Sequence, residues 1–164
     1  MTATEPARRN PFAERFGDLD LGAMGEVDDE LRATVPAGSF IERLGITLTH
    51  AGPGAARALM PVEAAHLNQA GVAQAGAIAA LADATAGWAA KTALRGDATF
   101  TTLEVNMNLL KAARPGTTLE AVAAPVHVGR STMVISVEVR HFDGATNKAG
   151  ALCAAFRCTE MVIG

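Results

Sequence analysis

Residues 75–94 read AGAIAALADATAGWAAKTAL. Alanine, the best helix former, recurs throughout, and no proline or glycine pair interrupts the run. The segment therefore reads as one helix of about 20 residues, some 30 Å long. It is apolar nearly all round, the pattern of a helix buried within a protein rather than lying on its surface. Small side chains would let a sheet wrap closely around it.

Working outward, the segments on either side read as strands. Before the helix, LGITLTHAG (44–52) alternates, and Gly52-Pro53-Gly54 is turn chemistry ahead of AARALMP (55–61), so the pair reads as a hairpin. After the helix, FTTLEVNMNLLK (100–111) places Leu103, Val105, Met107 and Leu109 on one face and Thr102, Glu104, Asn106 and Asn108 on the other. Pro115-Gly116, Gly129-Arg130 and Asp143-Gly144 then mark turns between TTLEAVAAPVHV (117–128), TMVISVEVRHF (132–142) and NKAGALCAAFRCT (147–159). One long helix with about six strands joined by short turns predicts an α+β domain with an antiparallel sheet. A single helix cannot cover so wide a sheet, which leaves a face or an edge for a second subunit.

The remainder of the chain divides simply. Residues 1–27 are polar and glycine-dotted and read as a mobile N-terminal arm. Residues 28–43 read as a lead-in of one or two short helices around Pro36-Ala37-Gly38, and residues 44–164 as the domain itself. The chain has 164 residues, a size suited to one core.

A net charge of −3 with scattered cations offers no electrostatic attraction to nucleic acid or an anionic membrane. The apolar run ending at Ala90 contains Asp83 and Thr85 and is too short to span a bilayer, and the first residues lack a secretory apolar stretch. The expected location is cytoplasmic, with neither nucleic acid nor membrane as partner. Four histidines without ligand spacing predict no metal site, and no cofactor is implied. Cys153 and Cys158, five residues apart in a strand, would stand roughly 16 Å apart. That exceeds the roughly 7 Å between Cα atoms that a disulfide tolerates.

Two features carry chemistry. Asp83 is the only charged side chain between Glu63 and Lys91. Placing a lone carboxylate in an apolar helix costs several kcal/mol by rough estimate unless it finds a partner. It either bonds a neighbouring strand or reaches solvent, or it is a carboxylate whose pKa is moved into a useful range. The second feature is HLNQAGVAQ (66–74), which leads into the helix. There the unpaired N–H groups and positive dipole end can hold an anion or the oxygen of a polarised carbonyl. The plain alternative is an entry turn.

Read together, HLNQAGVAQAGAIAALADATAGWAA (66–90) resembles the signature of hotdog-fold thioesterases of the phenylacetate-degradation (PaaI-like) class. In that family an Asn, a Gly, a His-Gly-Gly and then an acidic residue on the central helix follow at fixed spacing. Here Asn68 precedes Asp83 by fifteen residues, and Gly71 lies three after Asn68. TTLEVNMNLLKAARPG (101–116) and PVHVGRSTMVISVEV (125–139) look like the family's strands. The chain departs from the pattern at Gln74-Ala75-Gly76, where His-Gly-Gly is usual. An alanine N–H can still donate wherever its φ and ψ do not require glycine, whereas a glutamine amide cannot carry a proton at neutral pH as histidine can.

The resemblance implies a hotdog fold, an acyl-coenzyme A substrate, thioester hydrolysis, and a site shared in a homodimer or a dimer of dimers. Asp83 would be general base or nucleophile, Asn68 would position water or thioester beside Gln74, and the N–H groups of Ala75 and Gly76 would meet the oxyanion. Alignment on TLEVNMN selects Thr102 as the assisting hydroxyl, whereas strict alternation puts Thr101 on the apolar face; a bulge would reconcile the two. Lys111, Arg114 and the turn Gly129-Arg130-Ser131 are the candidates for the coenzyme A nucleotide. A non-catalytic acyl-CoA sensor or carrier is the alternative, favoured by the missing histidine. A hotdog dehydratase ranks lower, because such enzymes pair a histidine with the acidic residue, and no such histidine stands in the loop before this helix.

Overall fold

The computed structural model describes residues 10–164. The part of the expected arm at residues 1–9 lies outside the described residues. Helix α4 (Ala75–Ala93) is the long helix expected from the alanine-rich run. Strands β1 (Gly25–Glu26), β2 (Thr47–Gly52), β3 (Ala55–Pro61), β4 (Thr99–Leu109), β5 (Thr118–Val128), β6 (Thr132–Asp143) and β7 (Lys148–Ile163) form one sheet. Its order is β1-β2-β3-β5-β6-β7-β4, and every pairing is antiparallel.

The sheet curls around α4. Leu81, Ala82, Thr85, Ala86, Ala89 and Ala90 of the helix have no exposed surface. They pack against the inward residues of the sheet, among them Leu119, Ala121 and Ala123 of β5, Ile135 and Val137 of β6 and Phe156 of β7. Alanine on the helix permits that close approach. Thr85 and Thr92 are also buried, and each hydroxyl donates to the carbonyl one turn back, Leu81 at 2.6 Å and Trp88 at 2.8 Å. Neither leaves a buried polar group unsatisfied.

Burial of the helix is not complete, contrary to its all-round apolar sequence. Gly76, Ala79, Ala80, Asp83 and Gly87 make a stripe that the sheet does not cover. Beside it runs β4, paired on one side only, with β7, and with Leu103, Val105 and Leu109 half exposed or more. The uncovered helix stripe and the free apolar edge are neighbours.

The N-terminal reading needs correction within the described residues. Pro11–Phe16 is a helix, α1, capped by Asn10, whose Oδ1 accepts from Ala13 N–H at 3.3 Å. Phe12 and Phe16 are buried in the main core, and Asn10 Nδ2 donates at 2.8 Å to Lys91 O in the last turn of α4. Residues 10–27 are therefore part of the domain, and β1 adds a two-residue seventh strand to the six expected. The lead-in holds two four-residue helices, α2 (Asp29–Arg32) and α3 (Phe40–Arg43), on either side of the Pro36 break. Cys153 and Cys158 are buried and free.

Candidate active site

The loop before α4 is built by its own polar groups. Asn68 Oδ1 accepts from Ala70 N–H at 2.9 Å and Val72 N–H at 3.4 Å, and Asn68 N–H donates to Val72 O at 2.8 Å. Gly71, at φ +73°, makes the tight turn between them. Two backbone donors on Oδ1 fix which way the carboxamide points, so its NH₂ is the end left to donate. Gln74 then caps the helix through its backbone: its N–H donates to His66 O at 2.7 Å and its carbonyl accepts from Ala77 and Ile78. Its exposed side chain makes no capping bond.

Ala75 and Gly76 begin the helix, where the first N–H groups have no intrahelical acceptor. Neither residue has positive φ, so the backbone conformation at Ala75 does not call for the family's glycine. A shallow cleft of about 320 Å³ opens here, lined by Asn68, Gln74, Ala75, Ile78, Leu109 and Lys111. A larger hollow of about 980 Å³ lies elsewhere, between α1 and the far end of α4, and is lined by none of the expected site residues.

Asp83 stands two turns further on, within the uncovered stripe. The surrounding apolar surface partly desolvates its carboxyl and raises it above the ordinary carboxylate range. From Ala75 to Asp83 the helix advances about 12 Å. One thioester cannot lie against the free N–H of Ala75 and the Asp83 carboxylate of the same chain.

Across from the helix, the register of β4 shifts between Thr102 and Glu104. On one side of the shift Phe100 and Thr102 pair with Val162 and Glu160; on the other, Val105 and Met107 pair with Cys158 and Phe156. Directly paired residues point to the same face. Phe156 and Cys158 face the helix, so Thr102 joins Val105 and Met107 there and Thr101 turns away. The irregularity occurs where the two sequence readings differ by one residue.

The nucleotide candidates divide between two ends of the chain. Lys111 borders the cleft by Asn68, and Arg114 is exposed in the turn that follows, its carbonyl accepting from Thr117 Oγ1 at 2.7 Å. Gly129, Arg130 and Ser131 occupy the β5–β6 turn, where Gly129 N–H donates to Thr132 O at 2.9 Å and Ser131 O accepts from Val162 N–H at 2.9 Å. A single chain does not bring these groups together.

The sequence reading passed over Glu160. It lies on the helix-facing side of β7, is 1% exposed, and its Oε2 has no hydrogen-bond partner. Strand parity was the available signal, since Ala154, Phe156, Cys158 and Glu160 alternate onto one face. Nearby, burial drives the Cys158 thiol far above its ordinary range, followed by hydrogen bonding and charge from Glu160 and then by the charge of Asp83. Among the described residues no group of three or more His, Cys, Asp or Glu side chains is placed to hold a metal ion. No helix is long and apolar enough to cross a membrane.

A long helix wrapped by a curled antiparallel sheet, with a carboxylate on its open face, defines a hotdog domain. The model of the thioesterase superfamily matches residues 70–148. A mutant structure of the phenylacetic acid degradation protein PaaI from Thermus thermophilus is 31% identical, with a TM-score of 0.65 over 74% of this chain and 96% of that one. The 1,4-dihydroxy-2-naphthoyl-CoA hydrolase of Escherichia coli is 29% identical over 87% of this chain and 92% of its own length. A Streptococcus mutans protein, smu.793, solved bound to acetyl CoA, is 26% identical, with a TM-score of 0.63 over 73% of this chain and 89% of that one. The chain belongs to the thioesterase superfamily.

Proposed function

We propose that the protein hydrolyses acyl-coenzyme A thioesters to free acid and coenzyme A, at a site completed by a second copy of the chain. The observation that carries this reading is the separation within one chain of two complementary half-sites. The free N–H groups of Ala75 and Gly76 stand at the start of α4, and Asp83 stands on its open stripe about 12 Å along. Pairing two copies through the free edge of β4, with helices antiparallel, brings Asp83 of one copy to Asn68 and Ala75 of the other. It also covers Val105 and Leu109.

In that arrangement the thioester carbonyl lies against the Ala75 N–H, where negative charge develops in the transition state. The Asn68 carboxamide, held by its own loop, donates to the thioester or to the attacking water. Asp83 takes a proton from that water and passes it to the departing sulfur, so coenzyme A leaves as the thiol. Alternatively its carboxylate oxygen attacks directly, coenzyme A leaves as a thiolate that solvent protonates, and water then hydrolyses the acyl–Asp83 anhydride to the free acid. Thr102 supplies a hydroxyl from the facing strand. Lys111 and Arg114, with the Gly129-Arg130-Ser131 turn, provide the cationic and N–H partners for the nucleotide. Relatives that bind acetyl CoA or are named for hydrolysing an aryl-CoA support the substrate class.

The experiment is a screen of purified protein against short, medium, long and aryl acyl-CoAs, following release of free thiol. Turnover of at least one class is expected. A second reading, acyl-CoA binding without chemistry, is favoured by Gln74 standing where the family has histidine, and tight binding with no thiol release from any class would select it.

A further inference from the structure

His66 is 3% exposed and lines neither of the clefts that border Asn68. It closes the short 3₁₀ turn Ala64–His66. Its N–H donates to Glu63 O at 3.0 Å, and its Nδ1 accepts from Glu63 N–H, also at 3.0 Å. A backbone N–H directed at Nδ1 makes that atom an acceptor and leaves the ring's proton on Nε2. The imidazole is thereby tied back to the chain three residues earlier, and its own carbonyl is left to face the next segment.

That carbonyl accepts from Gln74 N–H at 2.7 Å. Residues 66–74 form a small hairpin, in which His66 faces Gln74, Leu67 is bridged to Ala73, and Asn68 N–H donates to Val72 O at 2.8 Å. The second arm is anchored from outside, because Ala73 N–H donates to Ala113 O at 2.8 Å. The first arm is held at His66, by the turn that Nδ1 and Glu63 close. Asn68 comes two residues after this anchor. Gln74, across from it, is the N-cap of α4 and immediately precedes Ala75 and Gly76. A shift of His66 therefore moves both the Asn68 carboxamide and the first free N–H groups of the helix.

We propose that His66 is a positioning residue of this site. Its Nδ1, acting through the Glu63 N–H and the Gln74 cap, sets where the Asn68 amide and the Ala75 N–H meet the thioester carbonyl. The role belongs to a hydrogen-bond acceptor at the Nδ1 place rather than to an acid or base, since the ring reaches neither cleft. Donors aimed at a developing oxyanion act through their fixed placement, so a small displacement is felt in turnover more than in binding. The inference rests on the acyl-coenzyme A reading above.

Two amides of different reach test it. The oxygen of an asparagine stands as many bonds from Cβ as Nδ1 does, and that of a glutamine stands one bond further. Thiol release is followed on the acyl-CoA that wild type turns over fastest. His66→Asn should keep kcat within threefold, whereas His66→Gln and His66→Leu should lower it about tenfold to a hundredfold with KM within threefold. Calorimetry on the same proteins compares two inert thioethers, phenacyl-CoA, which carries a carbonyl, and phenethyl-CoA, which lacks it. Wild type and His66→Asn should favour phenacyl-CoA by about threefold to tenfold, the range of one neutral hydrogen bond. The ratio should fall close to one in His66→Gln and His66→Leu.

A histidine that only stabilises the fold would change the fraction of competent sites, read as calorimetric stoichiometry. It would leave the ratio, and kcat per competent site, as in wild type, and that result overturns the proposal. So does a wild-type ratio near one, or an asparagine variant as impaired as the leucine one. If His66→Leu does not fold, equal behaviour of His66→Asn and His66→Gln overturns it alone. Absence of thiol release from wild type with every acyl-CoA sinks the hydrolysis reading, and the calorimetric ratios then still decide the role of His66.

Discussion

Thr102 and Glu160 face each other directly across the β4–β7 ladder, on the side of the sheet that meets α4. The pairing depends on the irregularity between Thr102 and Glu104, which reverses the alternation that Val105, Met107 and Leu109 would otherwise impose. A hydroxyl and a buried carboxylate are thereby brought together on the face of the sheet that meets α4. Without the extra residue, Thr101 would occupy that place.

Replacing Asp83 by Asn separates chemistry from folding. The change is nearly isosteric and removes a charge from apolar surroundings, so stability should hold or rise. Loss of the base should lower turnover by about 10²–10⁴. Thiol release within threefold of wild type on the best acyl-CoA would show that Asp83 is not the reacting group.

The raised pKa of Asp83 has a sign that can be checked in two ways. Hydrolysis needs the ionised carboxylate, so the acid limb of kcat/KM should lie above the ordinary carboxylate range, and that limb should vanish from any residual activity of Asp83→Asn. Because burial favours the protonated form, the folded chain binds more protons at this group than the unfolded chain between the two pKa values. Its contribution to stability is present below the unfolded value and lost as pH rises through the folded one. Chemical denaturation of wild type and Asp83→Asn should therefore diverge with rising pH, with the variant gaining. Parallel curves would contradict the desolvation.

Much of the architecture was legible in local signals. The alanine-rich run, the alternating strands and the glycine- and proline-marked turns each had a strong physical period or propensity. What the local signals could not carry were facts of tertiary register. Thr102 could not be placed until its partner strand was known, and Glu160 looked like any charged residue near the end of a strand until β6 and β4 enclosed β7. The arm was misread for a different reason. Asn10-Pro11 is a helix start, and Phe12 and Phe16 lie one turn apart on one face, but six residues are too few for periodicity to stand out. The open stripe on α4 was hidden because alanine and glycine look equally apolar on covered and uncovered faces.

The free edge of β4 predicts the assembly. Val105 is 54% exposed and Leu109 50% exposed on a strand with an unpaired side, a combination that invites pairing with another chain. Light scattering at micromolar concentration should give a dimer or larger. Val105→Lys should weaken the assembly and thiol release together while circular dichroism stays unchanged. A monomeric wild type would sink the shared-site proposal.

Helix α1 should contribute to stability out of proportion to its length. Phe12 is 1% exposed and packs in the main core, so Phe12→Ala should cost about 3–5 kcal/mol. Urea denaturation should show a lowered midpoint with little change in slope. A variant as stable as wild type would mean that residues 10–16 do not dock as described.

Gln74→His asks whether the departure from the family pattern matters to chemistry. Gln74 caps α4 through its backbone, and its side chain is exposed and makes no capping bond, so an imidazole can replace it without disturbing the core. If the glutamine is a tolerated substitution in a working hydrolase, histidine should leave kcat unchanged or raise it modestly. If instead the wild-type chain binds acyl-CoA tightly and releases no thiol, histidine should restore some turnover, because it can hold and deliver a proton near neutral pH where an amide cannot. Calorimetric affinity and thiol release, measured on both proteins with one ligand, separate these outcomes. Wild-type turnover abolished by histidine would contradict both, and would assign the amide of Gln74 itself to orienting the thioester at the mouth of the cleft it shares with Asn68 and Ala75.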